Sequence, residues 1–160
     1  MSTADAKLPT VQRIEGPAPR VLVVRAPYYR GVVEGMTEGA VRVLRDAGAS
    51  FEVLDVAGAF ELPQAIRIAL RGRMRFDGFV ALGCVVKGET DHYDYICQQT
   101  MAGLMQVALQ YGIALGAGVL TVHTVEQALA RARPDGHNKG AEAARAVLLQ
   151  IAAARRLGSV

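Results

Sequence analysis

Short apolar runs alternate along this chain with segments whose apolar residues recur at helical spacing, and this alternation restricts the possible folds most strongly. The apolar runs lie at 21–24, 51–56, 79–86 and 114–121. Short runs rich in β-branched residues are typical of strands that a parallel sheet buries on both faces. The remaining segments predict helices at 29–47, 58–70, 92–111, 124–132 and 138–156. This pattern predicts an α/β fold, a three-layer α/β/α sandwich around a four-stranded parallel sheet.

The chain length limits the number of domains. A chain of 160 residues can bury a substantial core in one domain and is too short for two. Residues 1–19 carry three prolines among polar residues and are expected to form an N-terminal arm, and residues 20–160 to form the domain. The two cysteines, Cys84 and Cys97, form no CxxC pattern and therefore predict neither a disulfide nor a metal site.

The segment from Tyr95 to Val125 carries no formal charge and is long enough to suggest a membrane span. Four glutamines and four glycines interrupt it, which favours a buried helix, a turn and a strand. The first ten residues, MSTADAKLPT, lack the apolar segment of a secretory signal. We therefore expect a cytoplasmic protein with no membrane partner.

Arginines form clusters at 67–75 and at 131–133, in a chain of net charge +3. Basic clusters can bind nucleic acid through its phosphates. No nucleic-acid motif and no interleaved aromatic residues accompany the first cluster, which is interpreted as a solvated helix end. No nucleic-acid partner is expected.

Ligands of parallel α/β sheets bind beyond the carboxyl ends of the strands, and this rule places the candidate site. After the third strand, Gly88 allows a turn and Glu89, Thr90 and Asp91 lead into a helix at His92. Free amides at a helix start can bind a phosphate or another anion. His92 can act there as a general acid or base near neutral pH, or it can be a structural residue.

Two further strand ends carry aromatic residues. Phe60 and Glu61 could hold a planar ligand, or Glu61 could complement a helix dipole. Tyr28 and Tyr29 could stack on a flat ring or cover the sheet edge. Arg131 could bind phosphate through its guanidinium fork, but it lies on a helix that leads away from the Gly88–His92 loop, which suggests that it serves a neighbouring subunit.

Together these motifs resemble the lumazine synthase family. The resemblance covers residues 20–156 and is carried by GAFELP at 58–63, GCVVKGETDHYDYIC at 83–97, GVLTVHTVEQALARA at 118–132 and HNKGAEAA at 137–144. It implies a flavodoxin-like sheet with strand order 2-1-3-4 and active sites between adjacent subunits of a homopentamer. It also implies the penultimate step of riboflavin biosynthesis, with small-molecule substrates and no cofactor or metal.

The resemblance implies roles for particular residues. His92 corresponds to the family's acid/base histidine. The residues implied in phosphate binding are Glu89, Thr90, Arg131 from the neighbouring subunit, and Lys139. The residues implied in binding the pyrimidine and ribityl groups are Tyr28, Ala59, Phe60, Glu61, Cys84, Val85, Val86 and Ala117.

The chain departs from the family pattern at three places. Ala26–Pro27 occupies part of the turn that usually carries an aromatic residue, and counting back from Gly39 assigns that position to Tyr28. Ala117 stands where the family often has a phenylalanine donated by the neighbour, so an alternative is a flavin- or lumazine-binding paralogue with weak catalysis. The loop 133–136 replaces a glycine-rich turn, which favours free pentamers over a 60-subunit shell.

Overall fold

The computed structural model describes residues 14–134 and 137–159. The strands are β1 (Arg20–Arg25), β2 (Ser50–Asp55), β3 (Gly78–Val86) and β4 (Ala114–Val122). The helices are α1 (Arg30–Asp46), α2 (Leu62–Arg71), α3 (His92–Tyr111), α4 (Val125–Ala130) and α5 (Lys139–Arg156). A single turn of 3₁₀ helix at Ala59–Glu61 precedes α2.

The four strands form one parallel sheet in the order β2-β1-β3-β4. Val23 of β1 pairs with Val53 of β2 and with Val80 of β3, and Val80 pairs with Gly116 of β4. Both the parallel sheet expected from the alternation and the strand order implied by the resemblance are confirmed.

Alternate residues of β1 enter two separate cores. Val21 and Val23 pack in a cluster with residues of α1, α4 and α5, whereas Leu22 and Val24 pack with residues of α2 and α3. Because successive side chains of a strand point to opposite faces, helices must cover both faces of a strand this apolar. The expected three-layer sandwich is confirmed.

The ends of the helices follow from local chemistry. Gly48 after α1 and Gly112 after α3 have φ values of +73° and +59°, a conformation that glycine adopts with little strain. The Thr124 hydroxyl caps α4 by accepting a hydrogen bond from the Gln127 amide at 3.3 Å. α4 is therefore shorter than the predicted 124–132: it begins after its cap, and Arg131 and Ala132 form a tighter turn whose amides bond three residues back.

β2 departs from the expectation that helices bury both faces of every strand. It lies at the sheet edge, and Val53 and Leu54 are 42% and 41% exposed. A groove of about 500 Å³ runs between β2 and α2, and Ile68 and Met74 line it together with these residues. The helices of one chain therefore cover the central strands and leave side chains of this edge strand exposed to solvent.

Most of the expected N-terminal arm lies outside the described residues. In its last part, Ile14 is buried in the core, and the Arg155 guanidinium donates hydrogen bonds to the carbonyls of Glu15 at 2.7 Å and Pro17 at 2.8 Å. Among the helices that the described residues form, none combines the length and apolar character needed to cross a bilayer.

Candidate active site

Three strand ends meet at the carboxyl edge of the sheet. A methyl group on Gly83 of β3 would lie 3.7 Å from the Ala59 Cβ and 3.8 Å from the Ala26 Cβ. Ala26 directly follows β1, and its amide donates to the Leu82 carbonyl at 2.9 Å. Because the side chains here are small, the turns after β1 and β2 approach β3 closely, as a ligand crevice at this edge requires.

The loop 87–91 connects β3 to α3 and carries the candidate phosphate-binding residues. The Lys87 amide donates to the Val122 carbonyl at 2.9 Å, which fastens the start of the loop to β4. Glu89 and Thr90 are exposed in this loop, and His92 is the exposed first residue of α3. The Asp94 and Tyr95 amides donate to the Asp91 carbonyl at 3.0 and 3.3 Å, so the amides that precede them are the ones that this helix start offers to an anion next to the imidazole.

Tyr93 organises the first turn of α3. The Tyr93 ring packs edge-on against the His123 ring, with centroids 6.4 Å apart. The ammonium of Lys87, a residue of the loop 87–91, lies 5.7 Å from the centre of the Tyr93 ring. Partial burial and the neighbouring Cys97 thiol raise the pKa of the Tyr93 phenol, while the Thr121 hydroxyl lowers it. The phenol is therefore neutral at physiological pH and serves as a packing and hydrogen-bonding group.

The residues implied in pyrimidine and ribityl binding lie on two elements that touch. Ala59 is buried, Glu61 is half-buried and Phe60 is exposed on the 3₁₀ turn. Val85 and Val86 are half-buried at the end of β3, where a ligand held by the turn would reach them. The turn contacts both β3 and α3, and Val85 packs in the same core as Ala59, so these residues can bound one crevice. The Val86 side chain packs in the core on the opposite face of the sheet.

Cys84 and Tyr28 differ sharply in exposure. Cys84 is buried in the core, and this burial raises the pKa of its thiol from 9.0 to about 11, so that the thiol is protonated and a poor nucleophile. Tyr28, after β1, is 77% exposed and packs edge-on against Tyr29, with centroids 5.3 Å apart. An aromatic ring this exposed at the strand end is available to stack on a flat ligand.

Arg131 and Lys139 are brought together by a backbone hydrogen bond. The Lys139 amide donates to the Arg131 carbonyl at 2.9 Å. The Arg131 guanidinium donates to the Gln127 carbonyl at 2.8 Å, and the Lys139 ammonium pairs with Glu142 at 2.5 Å. Within the described part of the chain, neither side chain hydrogen-bonds to the loop 87–91.

Ala117 lies in the interior of β4, opposite Ala81 of β3, and not at the carboxyl end of the strand. Its neighbours Leu115 and Val119 pack on the side of the sheet covered by α2 and α3, and Ala117 on the same face remains exposed. One chain therefore does not bring Ala117 together with the residues at the strand ends.

No role was predicted from the sequence for Tyr93 or for Asn138. Tyr93 directly follows His92, and its aromatic character in DHYDY was a usable signal. Asn138 stands in HNKG, and its side chain is buried between helices, which no periodicity reveals. Among residues 14–134 and 137–159, no three side chains of His, Cys, Asp or Glu come together as a potential metal site.

The order β2-β1-β3-β4, with a histidine opening the helix at the carboxyl edge, defines a flavodoxin-like α/β protein with a candidate acid/base site. The family model described as 6,7-dimethyl-8-ribityllumazine synthase matches residues 18–155. The chain belongs to this family.

Individual relatives match over nearly their whole length. The 6,7-dimethyl-8-ribityllumazine synthase of Nitrobacter hamburgensis is 42% identical over 96% of this chain and 98% of its own. The 6,7-dimethyl-8-ribityllumazine synthase 1 of Rhizobium meliloti is 43% identical over 87% of this chain and 94% of its own. The protein of that name from Bartonella tribocorum is 41% identical over 88% of this chain and 93% of its own.

Proposed function

We propose that the carboxyl edge of this sheet, completed by a second copy of the chain, is the site of lumazine synthesis. The chain is a transferase of riboflavin biosynthesis, and the match to the synthase family over residues 18–155 carries this conclusion. It condenses 5-amino-6-(D-ribitylamino)uracil with 3,4-dihydroxy-2-butanone 4-phosphate. The products are 6,7-dimethyl-8-ribityllumazine and inorganic phosphate.

His92 is the proposed general acid/base. Imine formation from an amine and a ketone releases water, and the later elimination releases phosphate, so protons must be accepted and returned beside the reacting atoms. The exposed imidazole at the start of α3 adjoins the loop 87–91, which is where the phosphate group is proposed to sit. Neutral imidazole can accept a proton and imidazolium can return it near neutral pH.

The substrate groups are assigned to separate parts of the edge. The backbone of Glu89 and Thr90, with the start of α3, is proposed to hold the phosphate. Phe60, Glu61 and the end of β3 are proposed to hold the pyrimidine and the ribityl chain, and Tyr28 to stack on the ring. Binding both substrates side by side supplies orientation, which accounts for much of the rate that such a condensation needs.

A second copy of the chain is the proposed source of Arg131, Lys139 and Ala117. Two observations on the single chain support this. The hydrogen bonds described for Arg131 and Lys139 join them to Gln127 and Glu142. Ala117 lies in the middle of β4 and is exposed. A subunit interface that places this segment against another copy's loop 87–91 would complete the site. The assembly proposed is the homopentamer, without further association into a shell.

The exposed apolar side chains of α3 and α2 support this self-association. Those left open in the single chain are Ile68, Tyr95, Met101, Met105 and Leu109. An apolar surface of this extent is typical of a protein–protein interface. The free thiols Cys84 and Cys97 fit a reducing compartment, and we assign the protein to the cytoplasm on that basis.

The test is incubation of the purified protein with both substrates, with release of inorganic phosphate and formation of the lumazine chromophore measured together. Equal amounts of both products are expected. Tight binding of riboflavin without product formation would instead support the flavin- or lumazine-binding alternative, which the family matches do not favour. The protein without the pyrimidine substrate is the matched control, because phosphate release there would report simple hydrolysis.

A further inference from the structure

Asn138 lies directly before α5, and only 1% of its surface is exposed. Its amide nitrogen donates hydrogen bonds to the Gly35 carbonyl at 2.9 Å and to the Ala132 carbonyl at 2.8 Å. Its amide oxygen accepts a hydrogen bond from the Ala141 amide at 3.0 Å. One side chain thus connects α1, the segment after α4 and the first turn of α5.

The Asn138 side chain packs directly against the backbone of α1, which leaves little space around it. A methyl group on Gly39 would overlap the Asn138 amide, and a methyl group on Gly140 would overlap the Met36 carbonyl. The two helices therefore pack backbone against backbone on either side of Asn138. A buried amide in such a site keeps all of its partners, because losing one leaves a polar group without water or protein to bond to.

Asn138 forms a hydrogen bond with the residue after Arg131, and it is itself the residue before Lys139. Ala132, whose carbonyl Asn138 binds, directly follows Arg131, and Asn138 directly precedes Lys139. The Lys139 amide also donates to the Arg131 carbonyl at 2.9 Å. The backbone positions from which both cationic side chains extend are consequently held by the Asn138 amide together with this backbone hydrogen bond.

We propose that Asn138 is a positioning residue for phosphate binding, because its hydrogen bonds to the Gly35 and Ala132 carbonyls orient Arg131 and Lys139. This inference rests on the proposed role of those two cations at the site of a neighbouring subunit. Asn138 itself does not touch the substrate in this assignment. It acts on affinity for the phosphate group and not on the proton transfers assigned to His92.

A second role of Asn138, capping α5, must be separated from this one. In Asn138→Ser the hydroxyl can still cap the helix, since serine is a good N-cap residue, but it is too short to bind both carbonyls. In Gly39→Ala the asparagine is retained but the new methyl group displaces its amide. Val147→Ala is the matched control, because Val147 is fully buried in α5 and makes none of these hydrogen bonds.

The experiment measures kcat, the KM for each substrate, the Kd for inorganic phosphate and Tm for each variant. Asn138→Ser and Gly39→Ala are expected to raise the KM for the butanone phosphate and the Kd for phosphate about tenfold. The KM for the pyrimidine substrate is expected to stay within about twofold. The same Asn138→Ser change in an Arg131→Ala, Lys139→Ala background is expected to have no further effect on phosphate affinity.

Two results would overturn the proposal. One is that Val147→Ala, at a similar loss of Tm, raises the KM for the butanone phosphate as much as Asn138→Ser does. The other is that the effect of Asn138→Ser persists at full size in the background lacking both cations. If the wild-type protein makes no lumazine, the proposed function fails separately. The Kd for inorganic phosphate then still decides on Asn138: weaker binding than in Val147→Ala supports the inference, and equal binding refutes it.

Discussion

The ring of Tyr93 packs edge-on against the ring of His123, with centroids 6.4 Å apart and planes inclined at 81°. This contact joins the first turn of α3 to the end of β4. Because Tyr93 directly follows His92, the contact also restricts where the candidate acid/base residue can lie. The Lys87 ammonium, 5.7 Å from the Tyr93 ring centre, connects the loop 87–91 to the same ring.

Replacing Tyr93 with leucine is expected to lower kcat and to destabilise the fold by about 1–2 kcal/mol, through loss of the aromatic and cation–π contacts. Tyr93→Phe keeps the ring and is expected to retain kcat within about twofold. Steady-state kinetics and denaturant unfolding of both variants provide the measurement. Equal losses of kcat in the two variants would show that the hydroxyl, not the ring, matters.

Substituting His92 is expected to affect the chemical step. His92→Ala is predicted to lower kcat by about 10²- to 10⁴-fold, the usual contribution of a general acid/base, while the pyrimidine substrate still binds. His137→Ala is the matched control, since His137 is exposed in the segment between α4 and α5. Pre-steady-state phosphate release measures the effect, and an unchanged rate in His92→Ala would remove the residue from its proposed role.

Arg131→Ala is predicted to raise the KM for the butanone phosphate about 10- to 100-fold, since a hydrogen bond to a charged group contributes roughly 1.5–3 kcal/mol. The KM for the pyrimidine substrate is expected to change little. Arg133→Ala, an exposed arginine two positions further along, is the control. At a butanone phosphate concentration well below the raised KM, mixing His92→Ala and Arg131→Ala subunits is expected to restore part of the activity, because some sites then combine an intact residue from each copy.

The exposed face of α3 gives a prediction about assembly. Met105 and Leu109 are 61% and 76% exposed in the single chain. Changing both to glutamate is expected to leave the chain folded and to reduce the native mass from that of the proposed pentamer to that of a monomer, with loss of turnover. Leu157→Glu, at the equally exposed end of α5, is the control. A pentamer that survives the double substitution would place the interface elsewhere.

Cys84 provides a prediction about pH. Its burial raises the pKa of the thiol to about 11, so the folded state holds this proton more tightly than the unfolded state does. The resulting stabilisation is complete below pH 9, the ordinary pKa of the thiol, and disappears as the pH rises through 11. In a Cys97→Ser background, we expect a thiol reagent at pH 8 to leave Cys84 unmodified until denaturant is added. Rapid modification of the native protein would contradict this burial.

The elements were predicted well where local sequence signals decide them. β3 and α3 lie within one residue of the predicted 79–86 and 92–111, because an uninterrupted apolar run and a terminal glycine at 112 are both local signals. α4 was predicted too long, because its apolar periodicity continues to Ala132 while its backbone has already tightened into a turn. The exposure of Val53 and Leu54 was not predicted, although the implied strand order places β2 at the sheet edge, because it depends on how far the helices extend over that edge.

The residues of the candidate site also fall into those that local sequence signals identify and those that only long-range contacts reveal. Gly88 and His92 could be recognised because a strand end, a glycine and a helix start follow one another along the chain. Asn138 could not, because its partner Gly35 is 103 positions away and their contact exists only when α1 packs on α5.

The sequence by itself determined the alternation of strands and helices, the caps that end them and the motifs that mark the family, since these depend on neighbouring residues. Only the tertiary structure decided which residues share a surface. It brought the turns at Ala26 and Ala59 to Gly83, turned Ala117 outward and joined the buried Asn138 amide to the Ala132 carbonyl. The physical reason is that burial and hydrogen bonding between distant residues depend on how the helices pack against the sheet. A local sequence pattern does not predict that packing.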